Sequence, residues 1–84
     1  MNEAIITIST LPSMPGRYIY SIVAPGVKLG LQDAGRDPAT AAAKAMELAN
    51  RHGSHGYSIF APEKVLEHIP EHLRFKQSSV EQTA

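Results

Sequence analysis

The apolar positions of this chain begin in the alternating pattern of strands, pass to the period of a helix and then return. Residues 4–9 carry isoleucine at 5, 6 and 8 around β-branched Thr7, and predict a first strand. Residues 11–16 hold two prolines and a glycine and read as a loop. From Arg17 to Val23 the chain alternates, Tyr18, Tyr20 and Ile22 to one side and Arg17, Ile19, Ser21 and Val23 to the other. Ala24-Pro25-Gly26-Val27 fits a type II turn, with glycine where φ must be positive. Val27, Leu29 and Leu31 then alternate with Lys28, Gly30 and Gln32, so the third strand is expected to have one apolar and one wet face. Strands two and three should form an antiparallel hairpin.

Asp33 to Arg36 leads into a helix whose two ends are written in the sequence. Asp37 can accept from the free amides of the first turn, and Pro38 suits the first helical position. Gly53 is expected to close the helix in a left-handed conformation. On a helical wheel Ala41, Ala42, Ala45, Leu48 and Ala49 share one face with Met46 at its edge, while Lys44, Glu47 and Arg51 lie opposite. Alanine on the buried face lets a helix lie close to a sheet. A short strand over 57–60 follows, and Pro62 starts a second helix running to about Ile69, with Val65, Leu66 and Ile69 inward. Pro70 ends it. Leu73 and Phe75 alternate with Arg74 and allow a short C-terminal edge strand. The order βββαβα predicts an α+β two-layer sandwich, an antiparallel sheet with one main helix packed on it. Residues 1–75 form one domain in this reading, and polar residues 76–84 a flexible tail.

Composition narrows the function classes. Eighty-four residues make one small domain, and eight basic residues balance eight acidic ones. That balance lacks the basic excess of a dedicated DNA binder and the acidic excess of a DNA mimic. Without cysteine the chain has no disulfides, cysteine–zinc sites or thiol nucleophiles, as suits a reducing cytoplasm. Its apolar runs are too short to span a bilayer, and its N-terminus lacks a basic signal-peptide start.

The candidate chemistry is sparse. His52, His55, His68 and His72 have the spacing of a two-cysteine, two-histidine zinc finger with histidine throughout, but Pro70 interrupts the helical turn that the last pair needs. Cap and surface histidines are the reading preferred here, with no metal and no cofactor. Ser54 between His52 and His55 is the nearest approach to a nucleophile beside a base, and neighbours in a tight turn rarely align for that work. No glycine-rich phosphate loop is present. Gly35-Arg36 before the helix could hold an anion, but Asp37 at the cap repels it. Tyr18 and Tyr20 share a strand face as stacking aromatics do in single-strand RNA binders; core packing is the simpler reading, and no direct nucleic-acid binding is expected. These residues describe an interaction module without an active site.

Several ordered segments resemble a known family, the small phage-encoded anti-CRISPR proteins, in particular the fifth family of type I-F inhibitors. They are Pro15-Gly16 with Tyr18, Ala34-Gly35 with Asp37-Pro38, and Ala41-Ala42-Ala43-Lys44-Ala45-Met46. Gly53-Ser54, Tyr57, Lys64-Val65-Leu66, Ile69-Pro70-Glu71 and Leu73-Arg74 complete the set. The resemblance covers residues 15 to 74, while Ala24 to Asp33 departs from the family's pattern. It implies a non-enzymatic protein of the bacterial host cytoplasm that binds the type I CRISPR surveillance complex. Binding there blocks target recognition or recruitment of the helicase–nuclease. Exposure around the main helix then nominates Arg36, Asp37, Lys44, Glu47, Arg51, Glu63 and Lys64 as partner-binding residues, of which Asp37, Lys44 and Lys64 are shared positions. The subtype targeted, I-F, I-C or I-E, stays open, as does monomer or homodimer. Alternative readings of the fold are an antitoxin-like module and a small RNA-binding domain of βββα type.

Overall fold

A computed structural model describes residues 3–76. The strands β1 (Ala4–Leu11), β2 (Met14–Ala24) and β3 (Val27–Gly35) form a meander, followed by helix α1 (Pro38–His52). Strand β4 (Tyr57–Phe60), the one-turn helix α2 (Glu63–Leu66), a single 3₁₀ turn at Glu71–Leu73 and strand β5 (Phe75–Lys76) complete the chain. The five strands lie in one sheet in the order β3-β2-β1-β4-β5, and α1 packs across one face of it. This is a two-layer α+β sandwich whose sheet is mostly antiparallel.

One pair departs from the expected antiparallel sheet: β1 and β4 are parallel, with Ile6 opposite Ile59. Connectivity explains the departure. Two hairpins leave β3 running in the direction of β1, and the single helix between β3 and β4 returns the chain to start β4 in that same direction. The crossover passes over β2 and β1, so β1 and β2 become interior strands, and their isoleucines form the floor of the core. Ile6, Ile22 and Ile59 stand side by side on three adjacent strands. The first two are fully buried and the third nearly so.

The helix follows its sequence pattern residue for residue, since Ala41, Ala42, Ala45, Leu48 and Ala49 are the buried set. Asp37 caps it, accepting from the Thr40 amide at 2.8 Å and the Thr40 hydroxyl at 3.0 Å. At the other end the expected left-handed glycine is not found. Gly53 has φ −102°, and its N–H donates to the Ala49 carbonyl. Glycine is required there for space, because a β-carbon would lie 2.6 Å from the Ala49 oxygen and 2.6 Å from the Tyr57 ring.

The loop expected over 11–16 is mostly strand. Leu11 and Met14 pair across a tight Pro12-Ser13 turn, and a register shift between Thr10 and Leu11 absorbs the extra residues of β2. The Pro25-Gly26 turn joins β2 to β3 as expected, with Gly26 at φ 79°. The alternation expected along β3 fails. Gly30 and Leu31 form a bulge, Leu31 takes φ 56°, and it is 70% exposed rather than buried. As the outermost strand, β3 has a neighbour on one side only; its ends reach the core through Val27 and Ala34, while Leu29 and Leu31 stay exposed.

The second helix is also shorter than the expected 62–69. Regular turns stop at Leu66 and give way to i→i+3 bonds at His68 and Ile69. The short edge strand expected near Phe75 is present as β5, paired with β4. Of the flexible tail expected over 76–84, Lys76 belongs to β5, and the rest lies outside the described residues.

Candidate functional site

The outward face of α1 carries a chain of alternating charge. Lys44 Nζ lies 3.0 Å from Glu47 Oε1, and Glu47 Oε2 lies 3.9 Å from Arg51. Helical spacing of three and four residues places all three on one stripe. Lys44 also sits 5.9 Å above the centre of the Tyr20 ring, which fixes its stem over the seam between helix and sheet. Tyr20 and Tyr18 are therefore partly buried on the helix side of the sheet, packed against the core. Their rings do not offer an open stacking platform for bases.

The nominated residues divide by role. Asp37 is spent on the helix cap, as its two bonds to Thr40 show. Arg36, Glu63 and Lys64 are exposed and form no ion pair among the described residues. From Asp37 to Arg51 the helix rises roughly 20 Å. Asp37, Lys44, Glu47 and Arg51 are thus spread along the helix rather than gathered at one point. That geometry suits a protein interface, where a few anchors sit inside a polar rim.

Two carboxylates of this surface are held below their ordinary pKa values. For Asp37 the Thr40 amide is the main cause and the Thr40 hydroxyl the second. For Glu47 the cause is the Lys44 hydrogen bond and charge, with Arg51 adding to it. A carboxyl whose folded pKa is depressed stabilises the fold above its unfolded pKa and loses that contribution as pH falls through the folded value. Stability should therefore hold from pH 7 to about 5 and decline below about 4. Asp37→Asn keeps a cap acceptor without a titrating charge and should lessen the decline, which urea midpoints between about pH 3 and 7 will measure.

Sequence reasoning missed the residues that lock the C-terminal segment to the sheet. Arg74 donates from Nε to the Ile69 carbonyl at 2.9 Å and from a terminal nitrogen to the Leu66 carbonyl at 2.6 Å. Tyr57 Oη donates to the Leu73 carbonyl at 2.9 Å. Arg74 thus gives the Ile69 carbonyl a partner and adds a second donor to the Leu66 carbonyl, which already accepts from the Ile69 amide. Nothing periodic announces this role: by pattern Tyr57 is the start of a strand and Arg74 the polar position between Leu73 and Phe75, and both are also among the family-like positions. Arg74→Ala should cost about 1.5–3 kcal/mol, and Arg74→Lys should recover little of it because an ammonium cannot reproduce the two-pronged geometry. Chemical denaturation of the three proteins checks both statements.

Beside that lock an open cleft of about 520 Å³ runs between the end of α1 and the 3₁₀ turn, lined by Met46, Asn50, Ser54, Tyr57, Leu73 and Lys76 among others. Its lining contains no aspartate, glutamate or histidine, and Lys76 donates to the Ser54 carbonyl at 3.3 Å. Among the described residues no three His, Cys, Asp or Glu side chains gather in a way that could hold a metal ion. No helix among them is long and apolar enough to cross a membrane. No family model matches the chain, and no curated protein matches it.

Proposed function

We propose that this chain is a phage-encoded anti-CRISPR protein that binds the type I surveillance complex in the bacterial host cytoplasm and blocks target recognition or helicase–nuclease recruitment without turnover. The ordered resemblance over residues 15 to 74 carries the reading. The shared positions have coherent places in this fold: Asp37-Pro38 starts α1, Gly53 permits its close exit, and Tyr57 and Arg74 lock the last segment. A family that keeps such joints keeps a scaffold, on which exposed residues set the target. The Lys44–Glu47–Arg51 stripe is the surface offered to a partner, with Arg36, Glu63 and Lys64 extending it.

The test is plating of a targeted phage on hosts with active type I-F, I-C or I-E systems. Expression of this gene alone should restore plaques in at least one host. Reversing two charges of the stripe, Lys44→Glu with Arg51→Glu, should abolish the rescue while the protein stays folded, its thermal midpoint falling by no more than roughly 15 °C, since each exposed pair and each like-charge pair that replaces it contributes at most about 1 kcal/mol. No rescue in any of the three hosts contradicts the proposal.

A further inference from the structure

Strand β3 is the outermost strand on its side of the sheet, and most of it is exposed. Edge strands are commonly guarded by charge, proline or a bulge. Between Leu29 and Gln32 this edge has no charge and no proline, and Leu29 and Leu31 are 44% and 70% exposed. It has a bulge: β2 advances two residues from Tyr20 to Ile22 while β3 spends three between Gln32 and Leu29. Gly30 and Leu31 thus share one rung opposite Ser21.

That extra residue changes which side chains lie together. Lys28 and Asp33 are five apart and would point to opposite faces of a regular strand. Here Lys28 pairs with Val23 and Asp33 with Ile19, so both lie on the sheet face away from α1. Lys28 forms no ion pair among the described residues, and Asp33 has an exposed side chain paired with Arg17 at 3.3 Å. The bulge stands midway between them.

We propose that the β3 edge binds a second copy of this chain, the two strands running antiparallel about a two-fold axis through the bulge. In that register Lys28 of each copy faces Asp33 of the other, and Leu29 faces Gln32. The bulge itself selects the partner. An ordinary strand that pairs on one side of it falls out of register on the other. A second β3 carries the same extra residue at the same rung and stays in register on both sides. Leu31 lies at the axis, where an exposed leucine in a backbone conformation unfavourable to it gains apolar contact. Pairing would join the two sheets into one and leave both α1 faces free.

Sedimentation velocity on the full chain, from low micromolar to about 1 mM, should show a concentration-dependent dimer. Lys28→Glu alone and Asp33→Lys alone each set two like-charge pairs across the axis and should weaken the dimer about tenfold or more. Mixing the two variants should restore it as a heterodimer, because every facing pair is then opposite in sign. If Asp33→Lys fails to fold, Leu31→Arg, which places two positive charges at the axis, should likewise weaken dimerisation. A wild type that stays monomeric throughout overturns the proposal. So does a dimer indifferent to these substitutions, which would instead join through the open sheet face at Phe60 and Phe75.

Discussion

Gly53→Ala should destabilise this protein by about 2–4 kcal/mol, a large part of what a domain this size possesses. The added carbon has no retreat. It meets a backbone oxygen at 2.6 Å on one side and the Tyr57 ring at 2.6 Å on the other. The Ala49 oxygen already accepts the Gly53 amide at the end of α1, and Tyr57 is held by its bond to the Leu73 carbonyl. Relief therefore requires the end of α1 to lift away from β4. In a domain of this size the thermal midpoint should fall by roughly 10–25 °C. Gly30→Ala is the control: no atom lies within 4 Å of its added carbon, and stability should change by no more than about 0.5 kcal/mol. Urea denaturation of the two variants at low concentration makes the comparison.

Ala45→Leu should cost a similar amount, about 2–4 kcal/mol, for a related reason. Ala45 is fully buried on the apolar face of the helix, in the same core cluster as Ile6, Ile22 and Ile59. Alanine there sets the distance between helix and sheet, and three more carbons force the layers apart or the side chain out of its rotamer. Ala43→Leu, on the exposed side of the same helix, should leave stability within about 0.5 kcal/mol. Equal effects at 43 and 45 would mean that α1 does not lie on the sheet through its alanine face.

The contrast between α1 and β3 shows what could be read in advance. For α1 the determinants are local: a cap, a proline, a period and a glycine, all within the segment. Its limits and its buried face were accordingly legible, although the reason for Gly53 was not. That reason is Tyr57, which approaches only after the chain has turned, and no property of the helix alone foretells it. Strand β3 shows the opposite case. Its alternation of Val27, Leu29 and Leu31 implied a buried face, but burial depends on having a neighbour above. At the sheet edge, with a single neighbouring strand, alternation had little to enforce it, and a bulge broke the period.

The parallel pairing of β1 with β4 followed from the element order and was still missed, because strand direction is a property of the whole path. Site residues divide the same way. The Lys44–Glu47–Arg51 stripe was visible as helical spacing, and the structure adds that Lys44 is anchored over Tyr20. In the sequence Arg74 stands only as the polar position between Leu73 and Phe75 and as one of the family-like residues. Its task, reaching back to the Leu66 and Ile69 carbonyls, depends on where the chain carries them after α2 ends.

The central claim is that this sandwich works by covering part of another assembly, with the charged stripe of α1 against it. Size-exclusion chromatography of purified chain with a purified type I surveillance complex, with and without its target DNA, tests this most directly. The chain should travel with the complex in at least one of those states, and Lys44→Glu with Arg51→Glu should return it to the free position. A chain that elutes free under every condition, from a complex whose phage targeting it nevertheless abolishes in cells, would contradict the claim.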